Sequence, residues 1–436
     1  MNKKLLLAGL AGILSLATAC KKDDPSPKPT PTPQPGFTIE AKTTDLLQFD
    51  TVRLSVRGAK ADAKFSWVLN GKEVGEGKDY AFTQPRVGRY QVSLVDKTSG
   101  EKVSKDFSVT ARFTSGAFLL NEGNFGNETG TLTYIDASKQ FVLDSAYIRV
   151  NGTKLGNVCQ DMTFANGKVY IISQNGPKNG GEGLLTIADA KTLEKHKVIN
   201  DATLAKDWPT HIAVIHSRIY LRGNKGIYRG TEEGSFKLIP GTEKANKLRM
   251  VTIGELVIAT TSTNKLLVIQ DEEVKQTFTL PEGSPSGLAL APDGQLWLSY
   301  SKPNTLAKVS VSASGVKILD KHTTTQSLDK QWTATSAIFA RANQIFFTEQ
   351  SSVIYRHDFS TGETKEIVDV QKVDKQAKMY YNSLGIDPKT GHIYYASFGD
   401  YSTYKKNVTL VLDHDGKVLL KREHVNAFPA GFYFIP

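Results

Sequence analysis

One strand motif returns at nearly constant spacing along most of this 436-residue chain, and it restricts the possible folds more than any other feature. A turn residue precedes a run of β-branched, aliphatic or aromatic residues. Gly167 leads into 168–172, Ser217 into 218–221, Gly254 into 255–259, Gly294 into 295–298, Asn343 into 344–347, and Gly391 into 392–395. Successive runs start 50, 37, 40, 49 and 48 residues apart. That length suits four short strands, one blade of a β-propeller. Residues 116–120 supply a seventh such strand that lacks an inner strand before it. The apolar run 430–435 at the C-terminus has no repeat after it. Placing that last strand in the first blade completes seven sheets and leaves no open edge at the closure. Residues 113–436 are therefore expected to form a seven-bladed β-propeller closed by the C-terminal strand. Helical periodicity is nearly absent, apart from short pieces near Leu204.

Residues 37–112 read as a smaller β-domain. Apolar residues alternate at Val52, Leu54 and Val56 and again at Phe65, Trp67 and Leu69, followed by Asn70-Gly71. Both turn residues tolerate positive φ, which marks a tight hairpin. Tyr80, Phe82, Tyr90, Val92 and Leu94 provide further strands, with Gly88 at a turn. The expected fold class is all-β, a small immunoglobulin-like sandwich followed by the propeller. The order Phe-Ser-Trp-Val-Leu-Asn-Gly, Tyr-x-Phe, Gly-Arg-Tyr-x-Val-x-Leu resembles the PKD family of extracellular domains. The resemblance implies a spacer or adhesion module with Trp67 in its core. Prolines at 25, 27, 29, 31, 33 and 35 make the segment before it an extended, semi-rigid linker.

The first nineteen residues have the layout of a secretory signal: Lys3 and Lys4, an apolar run over 5–16, then Ala17, Thr18 and Ala19 before Cys20. A cysteine at this place resembles the bacterial lipobox, although Ala17 stands where Leu is commonest. The resemblance implies cleavage before Cys20 and acylation of its sulfur, so 20–36 becomes a lipidated cysteine and linker. Lys21-Lys22-Asp23-Asp24 resembles the lipoprotein export signal of Bacteroidetes. That resemblance implies a lipid-anchored protein on the outer face of the outer membrane. The triplets 50–52 and 144–146 resemble the O-glycosylation sequon of the same group. With two cysteines in all and Cys20 expected to carry lipid, Cys159 has no disulfide partner and reads as a small core hydrophobe. The formal charge of +10 favours anionic ligands or surfaces. It is spread without long Lys/Arg blocks, so no nucleic-acid partner is expected.

In a propeller two sets of loops open on one end of the axis: those before each inner strand, and those joining the second and third strands. The loop 121–130 has Gly at 123, 126 and 130 and Asn at 121, 124 and 127, so its backbone can approach a ligand closely. Candidate ligand contacts on it are Asn121, Glu122, Asn124 and Phe125. Later loops and strand starts add Gln160 and Asp161, Asn175, Trp208 and His211, Arg249, Gln350, then Tyr380, Tyr381 and Asn382, and finally Phe398, Asp400, Tyr401 and Tyr404. Aromatic faces among amides and hydroxyls suit a large amphipathic ligand. His211 could ligate a corrinoid cobalt or haem iron; a polar strand-start residue is the plainer reading.

The run Leu-Leu-Asn-Glu-Gly-Asn-Phe-Gly at 119–126, followed by Leu-Thr-Tyr-Ile-Asp at 132–136, resembles the opening of YncE-like surface propellers of Bacteroidetes, the DUF5074 group. That group includes BtuG-type lipoproteins, which capture cobalamin (vitamin B12) above a TonB-dependent transporter. The resemblance implies nutrient capture with such a transporter as partner and cobalamin as first candidate. A siderophore, haem or glycan would use the same loop chemistry. An adhesin or surface-structure protein is the rival outside that class. A propeller enzyme, lactonase- or quinoprotein-like, is the other. It would need converging carboxylates or a metal cage, and the sequence offers neither. The 283–287 segment Gly-Ser-Pro-Ser-Gly has Pro where a nucleophile elbow has Ser. Asp413 to Gly416 reads as a hairpin turn rather than a calcium loop. No P-loop or dinucleotide fingerprint is present, and no catalytic residue, metal or cofactor is expected.

Overall fold

The computed structural model describes residues 36–329, 336–349, 351–380, 382–425 and 428–436. The signal segment, Cys20, the proline linker, Gln350 and Tyr381 lie outside the described residues. Among the described residues no helix is long and apolar enough to cross a membrane.

The N-terminal strands form a sandwich of two sheets. One orders Thr38–Ala41, Thr51–Arg57 and Asp79–Thr83. The other orders Asp45–Leu47, Lys102–Thr110, Gly88–Asp96, Phe65–Leu69 and Lys72–Glu76. The alternation at 51–54 is realised: Val52 and Leu54 are buried while Thr51 and Arg53 face outward. Asn70 and Gly71 both adopt positive φ, 47° and 86°, and Leu69 pairs with Lys72 across the turn. Trp67 is fully buried, stacks on Tyr80, and donates from Nε1 to the Gly77 carbonyl at 3.0 Å, which satisfies its one polar atom.

The remaining strands form seven four-stranded sheets. In chain order from blade 2 to blade 7 the inner strands are Asn157–Ala165, His211–Ile215, Val251–Ile253, Ser284–Leu290, Ile338–Arg341 and Leu384–Ile386. The inner strand of blade 1 is Pro429–Phe434, which pairs antiparallel with Ala117–Asn121 through Phe432↔Leu119 and Tyr433↔Phe118. Successive inner strands touch around a closed ring, so the expected C-terminal closure is the observed one.

Each recurrent run is a second strand, and its buried position explains why it reads as a continuous apolar block. A second strand is covered on both faces by the neighbouring blades, so it cannot alternate. All five residues of Leu256–Thr260 and all six of Leu296–Ser301 are buried. The outer strand Glu273–Thr279 has one solvent face and alternates exposed with half-buried residues. Blades pack through shared clusters; Tyr170, Ile172 and Leu185 of blade 2 lie with Ile212, Ile219 and Leu221 of blade 3. Inner strands converge so tightly that Gly385 has no room for a side chain: a Cβ there would lie 2.5 Å from the Phe432 Cβ.

Helix is confined to short pieces. Ala202–Ala205, capped by the Asp201 carboxylate accepting from Thr203 N and Leu204 N, falls where helix was expected. Ala146–Asn151 was not expected. Tyr147 and Val150, three apart, turn into the core, and Gly152 at φ 71° ends the turn. Cys159 is fully buried in the core cluster of blades 1 and 2, where burial pushes its thiol pKa up. It is an inert hydrophobe, as its sequence context suggested.

Candidate ligand-binding site

Each inner strand starts at one end of the axis, here called the loop end, and finishes at the opposite, turn end. At the loop end the segment 121–130 is held in a fixed shape by blade 2. Asn157 Nδ2 donates to the Asn124 carbonyl at 2.8 Å and to the Glu128 carbonyl, while its Oδ1 accepts from Asn175 Nδ2 at 2.7 Å. Gly123 is required at its place: φ is 81°, and a Cβ would lie 2.4 Å from the Thr129 carbonyl oxygen.

This framework leaves the Phe125 ring 53% exposed, 6.5 Å from the Trp208 ring, which is 48% exposed. Lys178 Nζ sits 3.7 Å from the Phe125 centroid, a cation–π contact. Trp208 is presented by a tight turn at φ 53°. Beside it the Asp207 carboxylate accepts from the Lys225 backbone N–H, and Thr210 N donates to the Arg222 carbonyl.

A second aromatic group lies on blade 7 and the entry to blade 1. Tyr404 stacks on Phe428 at 4.8 Å, with Phe398 at 5.3 Å and Tyr401 at 5.8 Å from the same ring. Tyr401 is 53% exposed, while Phe398 is buried beneath it. Asp400 shapes this loop: its carboxylate accepts from Ser402 Oγ, Ser402 N and Thr403 N, which hold its pKa down at about 2. An ion pair between Lys405 and Glu128 joins the loop to 121–130. The two aromatic groups thus belong to one arc of linked loops across blades 7, 1, 2 and 3.

Closer to the axis the groups are charged. Gln160 Nε2 donates to Glu122 Oε1 at 2.8 Å, and Glu122 N donates to the Phe428 carbonyl. Asp161 is buried; it accepts from Tyr433 OH at 2.7 Å and from Ile212 N at 3.1 Å, and Arg249 Nε stands 3.4 Å away. Burial raises the Asp161 pKa against the opposing pull of Arg249. Lys247, two residues before Arg249, has its pKa lowered by burial while Glu122 opposes the shift. Arg222 donates to the Ala245 carbonyl, and burial lowers its pKa to about 10.

The candidates read from sequence therefore separate into two layers. Phe125, Trp208, Tyr401 and Tyr404, with Asn124 and Asp400, form the accessible layer. Asn121, Glu122, Gln160, Asp161, His211, Asn382 and Phe398 are buried. Asn121 donates toward Thr131 Oγ1, and His211 Nδ1 shares a hydrogen bond with Thr210 Oγ1, so these two support the loops from below. Tyr380 is half-buried, with its hydroxyl donating to the Ala377 carbonyl and accepting from Gln371 Nε2. Phe428, Lys178 and Lys247 were missed. Phe428 had no legible signal, because its place beside blade 7 follows only from the ring closure. Among the described residues no group of three or more His, Cys, Asp or Glu is placed to hold a metal ion.

At the turn end the inner strands enclose a cavity of about 310 Å³. Apolar residues such as Val251, Leu288, Ile338, Ile386 and Phe432 line it together with Thr252, Ser336 and Arg249.

Residues 115–435 match the family described as Domain of unknown function (DUF5074). Residues 29–104, which overlap most of the 37–112 segment read above as PKD-like, match the Penicillin-Binding Protein C-terminus Family. No curated protein matches the chain. Among solved structures, a quinoprotein alcohol dehydrogenase-like protein from Bacteroides thetaiotaomicron is similar at TM-score 0.60 and 16% identity, over 90% of this chain and 96% of that one. A protein from Lactobacillus plantarum is similar at TM-score 0.50 and 11% identity, over 74% and 100%. At such identities the likeness is one of fold.

Proposed function

The chain belongs to the DUF5074 family, and on that premise we propose that its propeller is a non-catalytic capture module. It takes up a large amphipathic nutrient, a corrinoid such as cobalamin first, at the loop end of the axis and delivers it to a TonB-dependent outer-membrane transporter. The observation that carries the reading is the set of aromatic rings left exposed there on fixed loops. Phe125, Trp208 and Tyr401 are each about half exposed, yet the loops presenting them are tied down by Asn157, Asp207 and Asp400. Rigid rings give contact area at small entropic cost. Amides and charged groups nearer the axis suit the amide-rich rim of a corrinoid. The lipobox-like and export-like residues 17–24 support a lipid-anchored position on the cell surface, where such capture would occur. The axial carboxylate Asp161 is occupied by Tyr433, Ile212 N and Arg249, which supports binding rather than acid–base chemistry.

The test is a calorimetric titration of the purified chain with cyanocobalamin, with haem and a siderophore panel in parallel. The expected result is saturable 1:1 corrinoid binding that Trp208→Ala weakens. Binding of another member of the panel would replace the corrinoid while keeping capture. Silence across the panel would move the assignment to an adhesin.

A further inference from the structure

The turn-end cavity has one charged lining residue, Arg249, among residues that are mostly apolar. From this we infer that it is a second binding site, for an amphiphilic acid such as a medium-chain fatty acid, bound with its anionic head on Arg249 and its tail along the inner strands.

The chemistry follows from where Arg249 sits. It lies two residues before the inner strand Val251–Ile253, on the side where inner strands start, whereas Leu290, Ala340, Pro388 and Phe434 line the cavity toward the strand ends. Arg249 Nε and Nη2 are buried without a hydrogen-bond partner. Asp161 pairs with it on one side, Oδ1 lying 3.4 Å from Arg249 Nε while also accepting from Tyr433 OH. A guanidinium carries five donors in a planar fork, matched to a carboxylate. Its Cζ lies 4.6 Å from the Tyr433 ring centroid, a cation–π contact.

The size agrees. A volume of about 310 Å³ falls at the small end of ligand pockets, which run from roughly 300 Å³ upward. The lining runs from Ser336, two residues before the inner strand Ile338–Arg341, to Ala340 within it. At about 3.3 Å per residue this is about 13 Å, close to an extended ten-carbon acid. Leu290 is 39% exposed near the strand ends, so apolar surface continues toward the outside. A cation is disfavoured by Arg249, and a neutral alcohol leaves the buried donors less well satisfied.

The experiment titrates the full chain with decanoate, decan-1-ol and decyltrimethylammonium, each below its micelle concentration. Decanoate should bind 1:1 and about tenfold or more tighter than decanol, with no binding of the cation. Ala340→Trp, which fills the cavity and leaves Arg249 in place, should abolish decanoate binding while the thermal transition stays cooperative. Arg249→Met should reduce decanoate to the affinity of decanol; if that variant fails to fold, Ala340→Trp alone decides. Equal binding of decanoate and decanol, unchanged binding in Ala340→Trp, or no saturable binding would each overturn the site. The outcome is separable from corrinoid capture, because Ala340→Trp should leave cyanocobalamin binding intact and Trp208→Ala should leave decanoate binding intact.

Discussion

The two ends of the propeller axis are built from the same seven repeats and differ in almost every chemical respect. The loop end carries half-exposed aromatic rings and charged groups on loops of varied length. The turn end has short turns around a cavity lined mostly by apolar residues, with a single charged residue, Arg249, among them. The difference arises because strand pairing dictates the backbone at one end and not at the other. Between a first and second strand the chain must reverse at once, as at Gly167, Gly254 and Gly294. Between second and third strands no such demand applies, so residues 122–130 and 399–405 take their shape from side-chain bonds, those of Asn157 and Asp400 among them. The loop end therefore varies chemistry through insertions, whereas the turn end varies it only through what the inner strands point at the axis.

Four measurements test this contrast. The largest concerns Asp161, the partition between the ends. Asp161→Ala removes the acceptor for Tyr433 and Ile212 N and the partner of Arg249, so it should destabilise the chain by about 3 kcal/mol, read by denaturant unfolding. An unchanged midpoint would mean that the two ends are not joined through this group.

Next is Trp208→Ala. It should weaken corrinoid binding by about 2 kcal/mol, as a central aromatic anchor does, with little effect on the melting temperature because the ring is half exposed. A large loss of stability would recast Trp208 as a structural residue.

The third lies away from both ends. His357 is buried, with its Nε2 2.9 Å from His322 Nδ1 and its Nδ1 2.8 Å from Thr364 Oγ1. Burial first, and His322 second, hold its pKa below the usual histidine value of 6.5. The unfolded chain then takes up the proton first as pH falls. The neutral histidine's contribution is complete above about pH 6.5 and is lost as pH falls through the lowered folded value. Melting temperature should drop between pH 7 and pH 5 by a few degrees or less, and His357→Gln should remove that part of the slope. Ligand binding at either end should not follow it.

The smallest is local. Asp400 has a folded pKa of about 2 against an ordinary 3.8. Its support of the Tyr401 loop is therefore fully present above pH 3.8 and lost as pH falls through about 2. Asp400→Ala should weaken corrinoid binding by less than about tenfold, in line with a residue that shapes the loop rather than anchors the ligand.

The blades were legible because second strands are buried on both faces, so their apolar runs stand out at every repeat, and the orphan strands at 116–120 and 430–435 marked the closure. The helix Ala146–Asn151 was not legible, since its turn is stabilised by packing of Tyr147 and Val150 rather than by pattern. The candidate site was legible as a loop set but not as a surface. Aromatic and polar residue types named both Trp208 and His211, and only burial separates the exposed ring from the enclosed imidazole.

What the sequence determined by itself is the architecture: strand periodicity, turn residues and repeat length are local quantities, and local backbone energetics reads them directly. What only the tertiary structure decided is the division of labour along the axis. Arg249, Asp161 and Tyr433 come from blades far apart in the chain, and ring closure brings them together. Their shared burial, which sets their charge states and leaves guanidinium donors unmatched beside an apolar cavity, has no counterpart in any single stretch of residues.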